Sequence, residues 1–448
     1  MQETIVALAT PPGISGIAVI RLSGDEAISI ADKHFIGKIK LIESKSHRIH
    51  YGKFVANNKE IDTITASVFI APNSYTGENV VEISSHGSVI IYNQIIEELI
   101  KSGARLAEPG EFTKRAFLNG KIDLLQAEAV ADLINSVSKV SELTSLRQLE
   151  GGFTQRIMRE RNELINIAGL LELELDFADE DIEFVHKPQL TEKLYRILDF
   201  TQEIIDNYNA SKVLRIGYYI AIVGYPNTGK STLFNTLLNR NRAIVSEIPG
   251  TTRDYLEEYI YINDIPMKLY DTAGMRESSD IIEIEGIKLV SSIIKQSNLI
   301  IVLNDSKISF SHSDKLYSEI KHQYPNNEII LVQNKIDITD KSPRNNDEFY
   351  ISAKYNIGID KLKEVIAEKA KKYYKTENDI LVNQRQYNLL QEIKVNLLDA
   401  LNSLQNNMEN EFIAIDIRKA IKKIGELTGE IYNEDILNSI FSSFCIGK

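Results

Sequence analysis

The stretch that most restricts the fold is an apolar run, Tyr218 to Val223, that breaks into Gly224-Tyr225-Pro226-Asn227-Thr228-Gly229-Lys230-Ser231 and then a helix-forming segment, Thr232 to Leu238. A strand that turns through glycines into a helix aims backbone N–H groups at one point, and the positive end of the helix dipole adds to them. The G-x-x-x-x-G-K-S spacing completes a phosphate cradle, with Lys230 reaching the β and γ phosphates and the Ser231 hydroxyl on magnesium. Further β-branched runs, Met267 to Tyr270, Leu299 to Leu303, Ile329 to Val332 and Phe349 to Ser352, alternate with helical patterns. That alternation predicts a mostly parallel sheet with helices on both faces.

The remaining elements of a guanine-nucleotide site follow in order. Asp271-Thr272-Ala273-Gly274 closes a strand, where Asp271 can hold the magnesium shell and the Gly274 N–H can reach a γ-phosphate. Asn334-Lys335-Ile336-Asp337 closes another strand, and Ser352-Ala353-Lys354 the next. The Asp337 carboxylate can accept from guanine N1–H and its 2-amino group. Adenine has neither donor there and would leave the carboxylate desolvated and unpaired, so the expected base is guanine. Gly250-Thr251-Thr252-Arg253-Asp254 lies where a first switch loop belongs, with Thr252 as the second magnesium hydroxyl and γ-phosphate sensor; Arg253 is a possible transition-state group or a switch-loop ion pair. Met275 follows the D-x-x-G string and cannot orient a water. An arginine finger is worth about 10³ to 10⁵ in rate, so hydrolysis without one needs another cation.

Composition narrows the partners. The 448-residue chain carries a net charge of −12, which argues against wrapping nucleic acid unaided. An RNA partner therefore implies a second, more basic protein. A single cysteine, Cys445, excludes a disulfide framework and fits a reducing cytoplasm. Apolar runs are of strand length, short of the roughly 20 residues of a membrane span, and the N-terminus lacks the build of a signal peptide. The expected protein is cytoplasmic and has no membrane partner. Residues 1–118 read as an α+β domain, with β-like runs Ile17 to Leu22, Thr63 to Ile70 and Val80 to Ile83. Residues 119–212 read as helical, with Ile157, Leu164, Ile167, Leu171 and Leu175 at helical spacing. The α/β domain spans 213–375, and 376–448 returns to helix. The expected architecture is an interrupted helical bundle with the phosphate-loop domain inserted.

The strings Gly224 to Ser231, Ser246-Glu247-Ile248-Pro249-Gly250-Thr251-Thr252-Arg253-Asp254 and Asp271 to Glu277 resemble the MnmE (TrmE) family of GTPases. The resemblance extends to Thr4 to Gly13, Pro72 to Glu78, Glu82 to Gly87, Pro109 to Asn119 and the C-terminal Phe444-Cys445-Ile446-Gly447-Lys448. It implies a homodimeric enzyme, activated by potassium and by G-domain dimerisation. Asn227 would ligate potassium, helped by Ser246, Ile248 and Thr251, and Glu283 would orient the attacking water. Glu283, Lys230 and Thr252 are thus the catalytic candidates. The family further implies that the N-terminal domain dimerises and binds 5-formyl-tetrahydrofolate, or a related one-carbon tetrahydrofolate, through Arg21, Glu82 and Lys121, with Lys448 closing the pocket. It also implies an FAD-containing partner of the MnmG type, in a heterotetramer, and a 5-carboxymethylaminomethyl-type group on the wobble uridine of certain tRNAs. Cys445 acts in the one-carbon chemistry or packs near the folate, and His86 is a general base or a structural histidine. The rival expectation is a ribosome-assembly switch GTPase without group transfer.

Overall fold

The computed structural model describes residues 3–176, 186–239, 257–271, 291–307, 310–338, 348–373, 380–442 and 444–447. The chain divides into two compact units, Met1–Ala131 with Arg147–Thr201 and Asn388–Lys448, and Asp132–Leu146 with Gln202–Tyr387.

The first unit holds a seven-stranded sheet of β1 (Ile5–Leu8), β2 (Ser15–Ser23), β3 (Phe35–Gly37), β4 (Arg48–Ala56), β5 (Lys59–Phe69), β6 (Val80–Gly87) and β7 (Arg105–Leu106). Its order is β3-β4-β5-β6-β2-β1-β7, and all pairs are antiparallel except β1 with β7. Burial alternates along β5, as period 2 requires of a sheet with one covered face. Ile20, Leu22, Ile64, Ala66, Val68, Val81 and Ile83 form that face, against Tyr92, Ile95 and Leu99 of the helix Val89–Lys101. In the helical part, Gly152–Asp176 packs on Asn410–Thr428. Ile157, Leu164, Ile167 and Leu171 are buried there, whereas Leu175, on the helix's last turn, is 40% exposed and departs from the expected stripe. The last helix, Glu434–Phe441, starts at Asn433, whose side chain accepts from Asp435 N. Its Leu437 and Phe441, with Phe444, cluster on Phe117, Leu124 and Ala127, which ties the C-terminal tail to the N-terminal region.

The second unit holds a six-stranded sheet of β8 (Tyr218–Val223), β9 (Glu257–Ile262), β10 (Ile265–Asp271), β11 (Leu299–Asp305), β12 (Glu328–Asn334) and β13 (Glu348–Tyr350), in the order β13-β12-β11-β8-β10-β9. Every pair is parallel except β9 with β10, so the expected mostly parallel sheet forms with one additional strand. That strand enters through a two-residue hairpin, Asn263-Asp264, with φ of +51° and +62°. Positive φ at both positions is the turn whose twist suits a hairpin, and Asn and Asp tolerate it. Helices cover both faces: Leu233, Phe234 and Leu237 with Ile359, Leu362 and Ile366 on one, Ile320 and Tyr324 on the other. Strand β13 ends earlier than expected. Ser352 exchanges two backbone hydrogen bonds with Ile357, and Ala353 N turns to the Asn334 side chain, so neither continues the ladder.

Candidate guanine-nucleotide site and N-terminal pocket

The carboxyl ends of β8, β10, β11 and β12 lie along one edge of the sheet, which is where open α/β sheets bind ligands. β8 sits between β11 and β10, and the loop after it carries Gly224 to Ser231. A Cβ on Gly224 would stand 2.2 Å from Leu303 O, and one on Gly229, at φ +93°, would stand 2.4 Å from Asn334 Nδ2. Only glycine lets the loop press this close to its neighbours. Asn227 also takes a left-handed φ, +63°. Thr228 is fully buried and its hydroxyl donates to Tyr225 O at 2.9 Å, which closes the loop on itself. Lys230 begins the helix Lys230–Asn239, followed by Ser231 and Thr232 in its first turn. Lys230 Nζ donates to Gly224 O at 3.1 Å and Tyr225 O at 3.0 Å, so the ammonium already lies over the loop it is expected to serve.

The base-reading strings are bound to this loop directly. Asn334 is 3% exposed; its Nδ2 donates to Thr228 O at 2.9 Å and its Oδ1 accepts from Ala353 N at 3.0 Å. One side chain thereby joins the ends of β8, β12 and β13. Lys335, at φ +67°, donates to Asn227 O at 2.6 Å and pairs with Asp305 at 2.7 Å. Asp337 lies on the single turn Ile336–Ile338, and the Ser352 hydroxyl donates to its Oδ1 at 2.5 Å. Thr236, nearly two turns into the helix, donates to Ala353 O, and Lys354 stands over the Tyr355 ring. Asp271 ends β10. Thr252 and Glu283, the potassium candidates Ser246, Ile248 and Thr251, the rest of 246–254, Thr272, Ala273, Gly274 and Met275 lie outside the described residues.

Asp305 was not among the residues expected from sequence. Burial pushes its carboxyl up, but the hydrogen bond from Lys335, the Lys307 N–H and the two lysine charges outweigh this and hold it below the ordinary carboxylate range. The one signal for it is an acid at the end of an apolar strand, Leu299 to Asp305, at the ligand-binding edge.

In the first unit, Arg21 and Glu82 meet across β2 and β6 at 2.8 Å. The guanidinium lies over the rings of Tyr75 and Phe112, 5.5 and 5.6 Å from their centroids, and donates to Gly447 O at 3.4 Å. Burial pushes the Tyr75 phenol up, against the Thr113 hydroxyl and the Arg21 charge. Gly447, at φ +95°, is seated on β1: a Cβ there would stand 2.3 Å from Leu8 O. The structure thus gathers Arg21, Glu82 and the C-terminal tail. Lys121 instead donates to Pro72 O at 3.1 Å, Cys445 is exposed, and Lys448 lies outside the described residues. Beside this pair runs a buried network missed by sequence reasoning, in which Arg115, 5% exposed, bonds Glu78, Glu111 and Glu3 O.

Residues 124–445 match the family model described as the MnmE helical domain, and residues 4–121 match that of the GTP-binding protein TrmE N-terminus. The chain is 44% identical over 463 residues to the tRNA modification GTPase MnmE of Flavobacterium johnsoniae, which covers all of this chain and 99% of that protein. It is 38% identical over 459 residues to the one from Acetivibrio thermocellus, with the same coverage. The chain belongs to the MnmE family. Its phosphate loop, N-K-x-D and S-A-K strings are therefore those of an MnmE-family GTPase, and both flanking regions are family regions too. Among the described residues no helix is long and apolar enough to cross a membrane.

Proposed function

We propose that this chain hydrolyses GTP in the course of modifying tRNA, as a potassium-activated homodimer working with an FAD protein of the MnmG type at the wobble uridine. The observation that carries the GTP reading is the bonding of Asn334 to both Thr228 O and Ala353 N, with Lys335 on Asn227 O. It makes the phosphate loop and the guanine-reading strings one rigid body, so base recognition and phosphate placement are set together. In this reading Gly224, Asn227, Thr228, Gly229, Lys230, Ser231 and Thr232 hold the phosphates. Asn334, Lys335, Ile336 and Asp337 with Ser352, Ala353 and Lys354 read the base. Residues 246–252 and Asp271 to Gly274 close over the γ-phosphate.

The glycine cradle and a helix N-terminus fit a phosphate-bound magnesium, and the Asn227 backbone, held by Lys335, gives its side chain a fixed base from which to ligate a monovalent cation. Ser231 and Thr252 would hold magnesium; Asn227 with Ser246, Ile248 and Thr251 would hold potassium. When bound, the two cations neutralise charge that develops between the β and γ phosphates. Lys230 adds its own charge there, and Glu283 orients the water. Residues 1–118 form the folate and dimer domain, 119–212 with 376–448 the helical domain, and 213–375 the G domain. Arg21, lying over two aromatic rings and paired with Glu82, fits a flat, polar heterocycle with an anionic tail, as a formyl-tetrahydrofolate is. Lys121 and Lys448 would meet the tail.

The deciding experiment is steady-state GTP hydrolysis in potassium against sodium at equal ionic strength, on the wild type and Asn227→Ala. Stimulation by potassium alone, lost in the variant, is expected. Equal slow rates in both salts would refute the potassium reading and favour a switch that awaits an external activator.

A further inference from the structure

We propose that the loop joining β3 to β4 is a docking surface for the phosphate backbone of tRNA; the choice of tRNA rests on the tRNA-modifying reading above. From Lys33 to Lys53 the chain carries six Lys or Arg and one acid, Glu43, in a protein whose net charge is −12. Lys38, Lys40, Lys45 and Arg48 are all exposed. Among the described residues none of these four pairs with an acid. Cations elsewhere around the same sheet are tied: Arg21 to Glu82, Lys53 to Glu60, Lys101 to Glu98, and Arg105 and Arg115 to Glu111. Four like charges left together repel one another, and an anionic partner relieves that repulsion.

The loop holds its charges in place. Leu41 is 1% exposed, packs with Ala27, Ile30 and Phe35, and donates its N–H to Asp32 Oδ1 at 2.5 Å. Ser44, 7% exposed, bonds His50 Nε2 at 2.7 Å. Ser46 Oγ accepts from Ile70 N at 2.9 Å, and His47 N donates to Val68 O at 2.7 Å. The cations stand between these anchors. A solvated charge run needs no such anchoring, whereas fixed roots cut the entropy lost on binding. Protection of a sheet edge is the other task of surface lysines, but it asks for charge on the edge strand, and Phe35-Ile36-Gly37 has none. Gly37 lies opposite Gly52, and Arg48 is four residues away along β4, so the loop spans about 13 Å at roughly 3.3 Å per residue. A nucleic-acid strand offers anions at regular steps along such a row. Phosphate contacts position a nucleic acid without reading its sequence, and lysines serve them as point charges. The loop thus adds a local contact to an acidic chain and leaves the larger share of binding to the more basic partner that the net charge implies.

The test is binding of end-labelled tRNA by the full chain with its flavoprotein partner, followed by fluorescence anisotropy from about 50 to 200 mM KCl. Each phosphate held adds about 0.7 to 0.9 to the steepness of log affinity against log salt. Lys38→Gln, Lys40→Gln, Lys45→Gln and Arg48→Gln combined should therefore lower that slope by about 3 and raise Kd about 100-fold near 0.1 M salt. The loss should be equal for substrate and non-substrate tRNAs, with GTP turnover and flavoprotein binding unchanged. Lys361→Gln with Lys371→Gln, on the helix Ile359–Lys371, removes exposed charge elsewhere and should keep the wild-type slope. A fourfold variant with the wild-type slope overturns the docking surface, as does a control that loses as much slope per charge. Weaker tRNA binding that tracks lost flavoprotein binding, or a changed oligomeric state, also overturns it and makes the loop a protein interface. A wild-type complex that binds no tRNA is a different result: it refutes the tRNA reading itself.

Discussion

Replacing Asp305 by Asn probes whether the guanine and phosphate sides of the site act as one body. Asp305 ends β11 opposite Asn334 in the parallel register. Its Oδ2 lies 2.7 Å from Lys335 Nζ, and the Lys307 N–H holds its other oxygen at 2.9 Å. Lys335 donates in turn to Asn227 O at 2.6 Å, so the acid fixes the cation that fixes the loop. Removing one partner of a fully buried pair costs about 3–5 kcal/mol, and an exposed pair is worth under about 1 kcal/mol. Here the acid is 14% exposed and the lysine 34%, so solvent screens the lysine side. The expected loss is about 1–2 kcal/mol, or about 5- to 30-fold in guanine-nucleotide affinity. Titration of a fluorescent GDP should show that rise in Kd, with far-UV circular dichroism unchanged. Because the folded carboxyl is depressed, its contribution is present above its ordinary value of 3.8 and lost as pH falls through the folded one. The gap between wild type and variant should therefore be constant across neutral pH and close only in acid. Wild-type affinity in Asp305→Asn would refute the idea that this ion pair holds the loop.

Gly229→Ala should abolish measurable GDP binding without unfolding the chain, since the added carbon would sit 2.4 Å from Asn334 Nδ2 at a φ of +93°; a fluorescent-GDP titration with normal affinity would contradict this. Arg115→Met should destabilise the first unit by about 2–4 kcal/mol in urea unfolding, because it leaves the Glu78 carboxylate without its buried cation, while Glu111 keeps Arg105. A loss under about 1 kcal/mol would mean that Glu78 finds another partner or water. Gly447→Ala should lift the C-terminal tail off Leu8 O, separating Gly447 O from Arg21. Weaker 5-formyl-tetrahydrofolate binding with unchanged GTP hydrolysis is expected, and intact binding would place the tail outside that pocket.

How much of this was legible in the sequence depends on how far along the chain each constraint reaches. The phosphate loop is readable because Gly224, Gly229, Lys230 and Ser231 stand within eight residues on one strand–turn–helix, and a fixed local geometry leaves a fixed local string. The parallel sheet is readable for a related reason: strands buried on both faces, such as Leu299 to Leu303, are apolar at every position. β9 was missed although Tyr259 to Ile262 alternates as a half-buried strand does and Asn263-Asp264 is a hairpin signal in its own right. Asp305 and Asp62 escaped for a deeper reason. Asp305 meets Lys335 thirty residues on, and Asp62 meets His86 twenty-four on, and in each case the pairing depends on which strand lies beside which. An isolated acid at a strand end carries no mark of the cation it will face. Even Asn334, expected from its motif to serve the base, binds Thr228 O and Ala353 N, a job that exists only once β8, β12 and β13 end at the same edge. The motif residues thus supply contacts that any nucleotide would demand, and the register of the strands supplies the groups that hold those contacts still.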